Sequence, residues 1–168
     1  MRLRRAPSTP TRALGALSPT DILGSFHGDG LWQLAAFDSS GAIRVETFVN
    51  SDTRERNVGT WADTLNRQGY GIYFAINPLK DSTRSKARKV DVLEARWLWV
   101  DCDPSNGLID IERDEWRESK LAELRTGKDD IPPPTLIIDS ARGYWAFWEL
   151  SKPEPVDGDG PATARVEA

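Results

Sequence analysis

The run Trp97-Leu98-Trp99-Val100-Asp101-Cys102-Asp103-Pro104 holds the residues best suited to chemistry. As a strand it alternates its side chains between two faces. Trp97, Trp99, Asp101 and Asp103 then share one face, and Leu98, Val100 and Cys102 the other. Carboxylates two residues apart on a strand lie about 6–7 Å apart. Such a pair can bracket one Mg²⁺ or share two ions. Two ions about 3.5–4 Å apart serve phosphoryl transfer at the attacking and leaving oxygens. The plain alternative is a pair of acids facing solvent where a strand meets a turn. Two features weigh against it. The tryptophans predict cover on the acidic face, and neighbouring carboxylates repel unless a cation joins them.

Two further segments carry candidate chemistry. Ser140-Ala141-Arg142-Gly143 reads as a tight turn between strands at 135–139 and 144–150. Backbone N–H groups and a guanidinium in such a turn suit a triphosphate. An ordinary hairpin would use the same residues. Pro78–Asp91 is basic, with Lys80, Arg84, Lys86, Arg88 and Lys89 against Asp81 and Asp91, a local charge of +3. That loop suits nucleotide phosphates or a template strand, or simply solvent. His27 falls at a helix end, where a cation is favoured. Cys102, opposite the acids, reads as core.

The elements that must position these residues follow from local signals. Ser18-Pro19-Thr20-Asp21 predicts a capped helix start, with the helix running to about His27 and ended by Gly28 and Gly30. Strands are expected at 31–37 and 42–49 around Ser39-Ser40-Gly41. A helix is expected at 57–67, with Gly69 just past its end, and a strand at 70–77. The acidic strand should run 96–103, followed by a helix at 110–125 and the rigid Pro132-Pro133-Pro134 spacer. The order α-β-β-α-β, then β-α-β-β, predicts an α+β fold with mainly antiparallel sheets. Residues 1–17 read as a flexible basic arm, 18–91 and 92–150 as two halves of one domain, and 151–168 as a polar linker. A helix signal begins at Pro161 and is cut off at Ala168, which suggests a fragment of something longer.

Composition narrows the classes. The chain has 168 residues, enough for a real core without staples. No long apolar run is present, so no membrane span is expected. One Cys excludes an internal disulfide framework and fits a reducing cytoplasm. One His beside that Cys all but excludes structural zinc. The net charge of -4 argues against a generally basic, duplex-binding surface but not against a local basic patch.

Taken together, these motifs resemble the archaeo-eukaryotic primase superfamily, and most nearly the RepB-like primase domains of phages and plasmids, over about Asp21 to Leu150. The resemblance is carried by the strand ending in Asp101-x-Asp103 and by a Ser-Gly-x-Gly-aromatic-His type of hairpin, met imperfectly by Ser140–Trp148. Tyr70–Pro78 and the spacing Gly24, Phe26, Gly28, Gly30, Trp32 add to it. Where many members carry the motif His, this chain has Trp145. The resemblance implies an N-terminal α/β half joined to an RRM-like β-α-β-β catalytic half, its closing α-β lying past this chain. It implies a cytoplasmic enzyme of phage or plasmid DNA replication, a primase transferring nucleotides onto a 3′ hydroxyl on a single-stranded DNA template.

By the same resemblance, Asp101 and Asp103 would hold Mg²⁺ or Mn²⁺. Ser140, Arg142, Gly143 and Trp145 would meet the nucleoside triphosphate, with Lys80 and Arg84 supporting phosphates or template. A replicative helicase is a conceivable partner. The family's third carboxylate sits on a later strand. The chain alone is therefore expected to bind divalent ions weakly and to make no primers, unless Asp139 supplies that ligand. Two other readings stay open. One is a non-catalytic nucleic-acid-binding module or inactive remnant. The other is an Asp-x-Asp glycosyltransferase, which would require parallel strands ahead of the acidic motif.

Overall fold

Ser18 opens the first helix as expected. In the computed structural model, which describes residues 18–156, 158, 160, 161 and 163, α1 spans Pro19–His27. Ser18 Oγ accepts from the Asp21 N–H at 3.2 Å, and the Ser18 N–H donates to Asp21 Oδ2 at 2.9 Å. This reciprocal pair satisfies two of the donors a helix start leaves unpaired. The basic arm 1–17 and most of the stretch expected as a helix from Pro161 lie outside the described residues.

The chain divides into two compact units, one of Trp97–Lys152, the other of the described residues up to Arg96 and from Pro153 onward. Each holds one three-stranded antiparallel sheet, so the α+β expectation stands.

In the N-terminal unit the strands are β1 (Trp32–Phe37), β2 (Ile43–Phe48) and β3 (Gly71–Phe74), in the order β2-β1-β3. Helix α2, Arg54–Arg67, lies between β2 and β3 in sequence. Trp32 and Leu34 of β1 form a core with Leu23 and Val58, against which Phe48, Trp61, Ile72 and Phe74 pack. The opposite face of β1 carries Gln33, Ala35 and Phe37, and it too is covered. The basic segment 78–91 folds back as a closed loop, with Lys80 N–H on the Asp91 carbonyl and Leu93 N–H on the Pro78 carbonyl. Its middle is pinned to the sheet by buried Gln33, whose Nε2 donates to Thr83 Oγ1 at 2.9 Å and whose Oε1 accepts from Ala87 N–H at 2.8 Å. The segment is thus a strap over the second face of the sheet, with Lys80, Arg84, Lys86, Arg88 and Lys89 exposed to solvent.

The C-terminal unit runs β4 (Glu94–Cys102), α3 (Asp110–Thr126), β5 (Leu136–Asp139) and β6 (Tyr144–Pro155), the outer residues of β4 and β6 belonging to the other unit. The strand order β4-β6-β5 sets the last strand between the first two. That is the order of an RRM-like β-α-β-β half. Leu124, Tyr144 and Ala146 form its core, with Cys102, Leu121, Ile137 and Trp148 packed around them.

Several expectations are corrected. Helix α2 starts at Arg54 rather than Asn57, because Arg54 is drawn into the interior, as described below. Strand β3 ends at Phe74 rather than Asn77. Strand β6 continues through Ser151–Pro155, where a polar linker was expected. Prolines two apart remove donors from one edge of a strand only, so the other edge is unaffected. Trp99 is 52 % exposed and only Trp97 is buried, so the acidic face of β4 is open at its end. Edge strands have a neighbour on one side alone, and cover thins there.

Among the described residues no helix is long and apolar enough to cross a membrane.

Candidate functional site

Asp101 and Asp103 come at the C-terminal end of β4, both exposed. Among the described residues neither carboxylate has a hydrogen-bond or ion-pair partner. Cys102 between them faces the α3 cluster. Burial pushes the Cys102 thiol above its ordinary value, so it is protonated and inert as core. Because Cys102 faces α3, Asp101 and Trp99 face the other way. Tyr144 and Ala146 of β6 also face α3, which turns Trp145 to the same side as Asp101. Trp145 is half-buried opposite Ile138 of β5.

The turn after β5 is brought against the acids. A Cβ on Gly143 would collide with the Cys102 carbonyl and stand 2.9 Å from Asp103 Oδ1. Glycine is required here by close approach, and the two motifs, forty residues apart, meet at that point. Arg142, next to the contact, is exposed and has no partner among the described residues.

The turn itself differs from expectation. Ser140 N–H donates to the Gly143 carbonyl at 3.1 Å. Gly143 N–H donates to Ser140 Oγ at 3.1 Å, and Ala141 N–H to Asp139 Oδ1 at 2.8 Å. Ala141 sits at φ +69°, which lets the turn close on its own polar groups. These N–H groups are therefore not offered to a phosphate. What remains for an anion is Arg142, through its main-chain N–H and its guanidinium, and the Ser140 hydroxyl proton.

Arg117 of α3, which carries no signal in the sequence, holds this turn. It donates to Asp139 Oδ2 at 2.7 Å and to the Ala141 carbonyl at 3.0 Å, and its guanidinium lies 5.0 Å from the centre of the Tyr144 ring. Asp139 is thereby committed through both oxygens and is unsuited to be a third metal ligand. Among the described residues no group of three or more His, Cys, Asp or Glu side chains forms a metal site. Two exposed, uncompensated carboxylates still fit a hard divalent ion that keeps most of its water.

The remaining candidates lie in the N-terminal unit. Lys80 Nζ donates to the Val90 carbonyl at 2.8 Å, inside the strap, while Arg84 is exposed with no partner among the described residues. His27 is a correction. It is 2 % exposed, with Nε2 2.6 Å from the Ala75 carbonyl oxygen. Burial, reinforced by the positive charges of Arg96 and Arg54, lowers its pKa to about 4. It is a neutral interior group, not a cation at a helix end. Arg54 was invisible to sequence reasoning. It donates to the Gly30 and Gly28 carbonyls at 2.9 and 3.0 Å and stacks 3.8 Å above the Trp32 ring. The Gly24–Trp32 segment is thus tied together as structure.

Comparison with family models, curated proteins and solved structures finds no match.

Proposed function

We propose that the end of β4 and the turn at 140–143 form a nucleotidyl-transfer site of the primase kind. The observation that carries this reading is the contact of Gly143 with Cys102 and Asp103, which brings the turn that carries Arg142 against the strand end that carries both carboxylates. A nucleoside triphosphate carrying a divalent ion needs both signs of charge at the same phosphates. Asp101 and Asp103 would hold Mg²⁺ or Mn²⁺, which when bound offsets charge on a transferring phosphoryl group. Arg142 and the Ser140 hydroxyl would bind phosphate oxygens, with Arg117 fixing the turn that carries them. Trp145, on the face of Asp101, would flank the nucleotide, and the template would be single-stranded DNA. The glycosyltransferase alternative called for parallel strands ahead of Asp101, but β1 pairs antiparallel with both β2 and β3.

One observation favours a second reading. Trp99, half exposed beside Asp101, is suited to stack on a base whether or not catalysis follows. A single NMR experiment separates the readings. Mn²⁺ added with a nucleoside triphosphate should broaden the amides of Asp101, Asp103 and Gly143 first. Arg142→Ala should weaken nucleotide binding about tenfold while leaving the metal effect in place. Sharp signals at both acids while others broaden would sink the transferase site. Binding of single-stranded DNA at Trp99 without any metal effect would establish the binding module.

A further inference from the structure

Strand β2 forms one edge of the N-terminal sheet, with β1 as its neighbour. The Gln33 carbonyl accepts from Ala75 N–H, so Gln33, Ala35 and Phe37 turn their main-chain groups toward β3. Leu34 and Ala36 therefore turn theirs toward β2, where they face Glu46 and Arg44. The Asp38 N–H, bonded to the Ala42 carbonyl, continues the same alternation. It follows that Ile43, Val45 and Thr47 point their N–H and C=O groups outward. No proline, lysine or bulge guards this edge, and its charges are one of each sign, Arg44 and Glu46.

We propose that this edge pairs with the same edge of a second copy of the chain. An antiparallel pair centred on Val45 sets Val45 against Val45, Ile43 against Thr47 and Arg44 against Glu46. All the outward-facing residues then meet one another, and each pair exchanges both N–H···O bonds. Arg44 and Glu46 fall at the non-hydrogen-bonded positions, where side chains come closest. The charge pattern selects the register. A slip one way opposes Arg44 to Arg44, and a slip the other way opposes Glu46 to Glu46. Like charges directly opposite are destabilising. A shift of the opposite parity would mismatch the main-chain donors and acceptors. Arg44 and Glu46 are exposed and border an open groove of about 480 Å³ between β2 and α2, with Asn57, Trp61 and Gln68 opposite. The product is a two-fold dimer with a six-stranded sheet. Strand pairing alone buries less than a standard interface, so association should be weak and salt-sensitive.

Sedimentation velocity over a concentration series tests the proposal. The wild-type chain should form dimers that weaken as salt rises. Arg44→Glu and Glu46→Arg should each weaken the dimer at least about tenfold. The double variant Arg44→Glu/Glu46→Arg should restore it to within about threefold, because the opposite charges are paired again. Val45→Pro removes an outward N–H and no bond of the β1–β2 ladder, so it should abolish the dimer while the melting curve stays that of a folded chain. Hydrogen exchange on the wild-type chain adds a readout that needs no variant. The amides of Ile43, Val45 and Thr47 should gain protection as concentration rises. A monomer at every concentration would overturn the proposal. So would a dimer indifferent to Arg44→Glu and Val45→Pro, or a folded double swap that stays monomeric.

Discussion

The two sheets share a size and an antiparallel pattern, yet they treat their polar side chains in opposite ways. In β2-β1-β3 and its helices the polar groups go inward and, His27 Nδ1 apart, are answered. Gln33 pins the strap, Arg54 clasps two carbonyls over Trp32, and His27 sits neutral against Ala75. In β4-β6-β5 the charged groups at one end go outward and are unanswered, as with Asp101, Asp103 and Arg142. A buried polar group must be satisfied by the fold or it costs stability. An exposed, unpaired charge costs the fold little and is available to a ligand. The contrast marks the first set as structural, and it leaves the second free for the binding role proposed above.

Removal of Arg54 should give the largest effect. Arg54→Ala takes the side-chain donor from the Gly30 carbonyl, leaves the Gly28 carbonyl with Trp32 Nε1–H alone, and uncovers Trp32. Unfolding stability should fall by about 3 kcal/mol. Arg54→Lys should recover only part of it, since one ammonium cannot replace a planar fork. Urea denaturation measures both. A loss below about 1 kcal/mol would break the contrast on its structural side.

Acid should act through His27. Its folded pKa of about 4 lies below the ordinary 6.5, so the unfolded chain takes up a proton first as pH falls. Its contribution is complete above about pH 6.5 and is lost between there and pH 4, up to about 3 kcal/mol. Guanidinium midpoints at pH 7 and pH 4.5 should therefore differ more for the wild-type chain than for His27→Gln. Equal differences would show that the imidazole is not held neutral in the interior.

The smallest stability effect is expected at the acids. Asp101→Asn and Asp103→Asn should each change stability by no more than about 0.5 kcal/mol, with any gain coming from relieved repulsion. The same variants should erase the Mn²⁺ broadening. A loss above about 1 kcal/mol in thermal melts would make these carboxylates part of the structure and remove the distinction between the sheets.

Local chemistry was readable along the chain. Ser18-Pro19-Thr20-Asp21 announced its capping box, and Ser39-Ser40-Gly41 its hairpin. The alternation from Trp97 to Asp103 placed Cys102 toward the core and the acids away from it. Each of those signals acts within a few residues, where steric and hydrogen-bonding preferences are set by near neighbours. Tertiary structure decided the rest. Gln33 finds its partners Thr83 and Ala87 about fifty residues further on. Arg117 and Asp139 are 22 positions apart, and Gly143 is forty from Asp103, so no window along the chain joins them. His27 had the right place for a charged cap, but the interior around it made the charge too costly. Desolvation and long-range pairing depend on what the folded chain brings near, and that is not written at any one position.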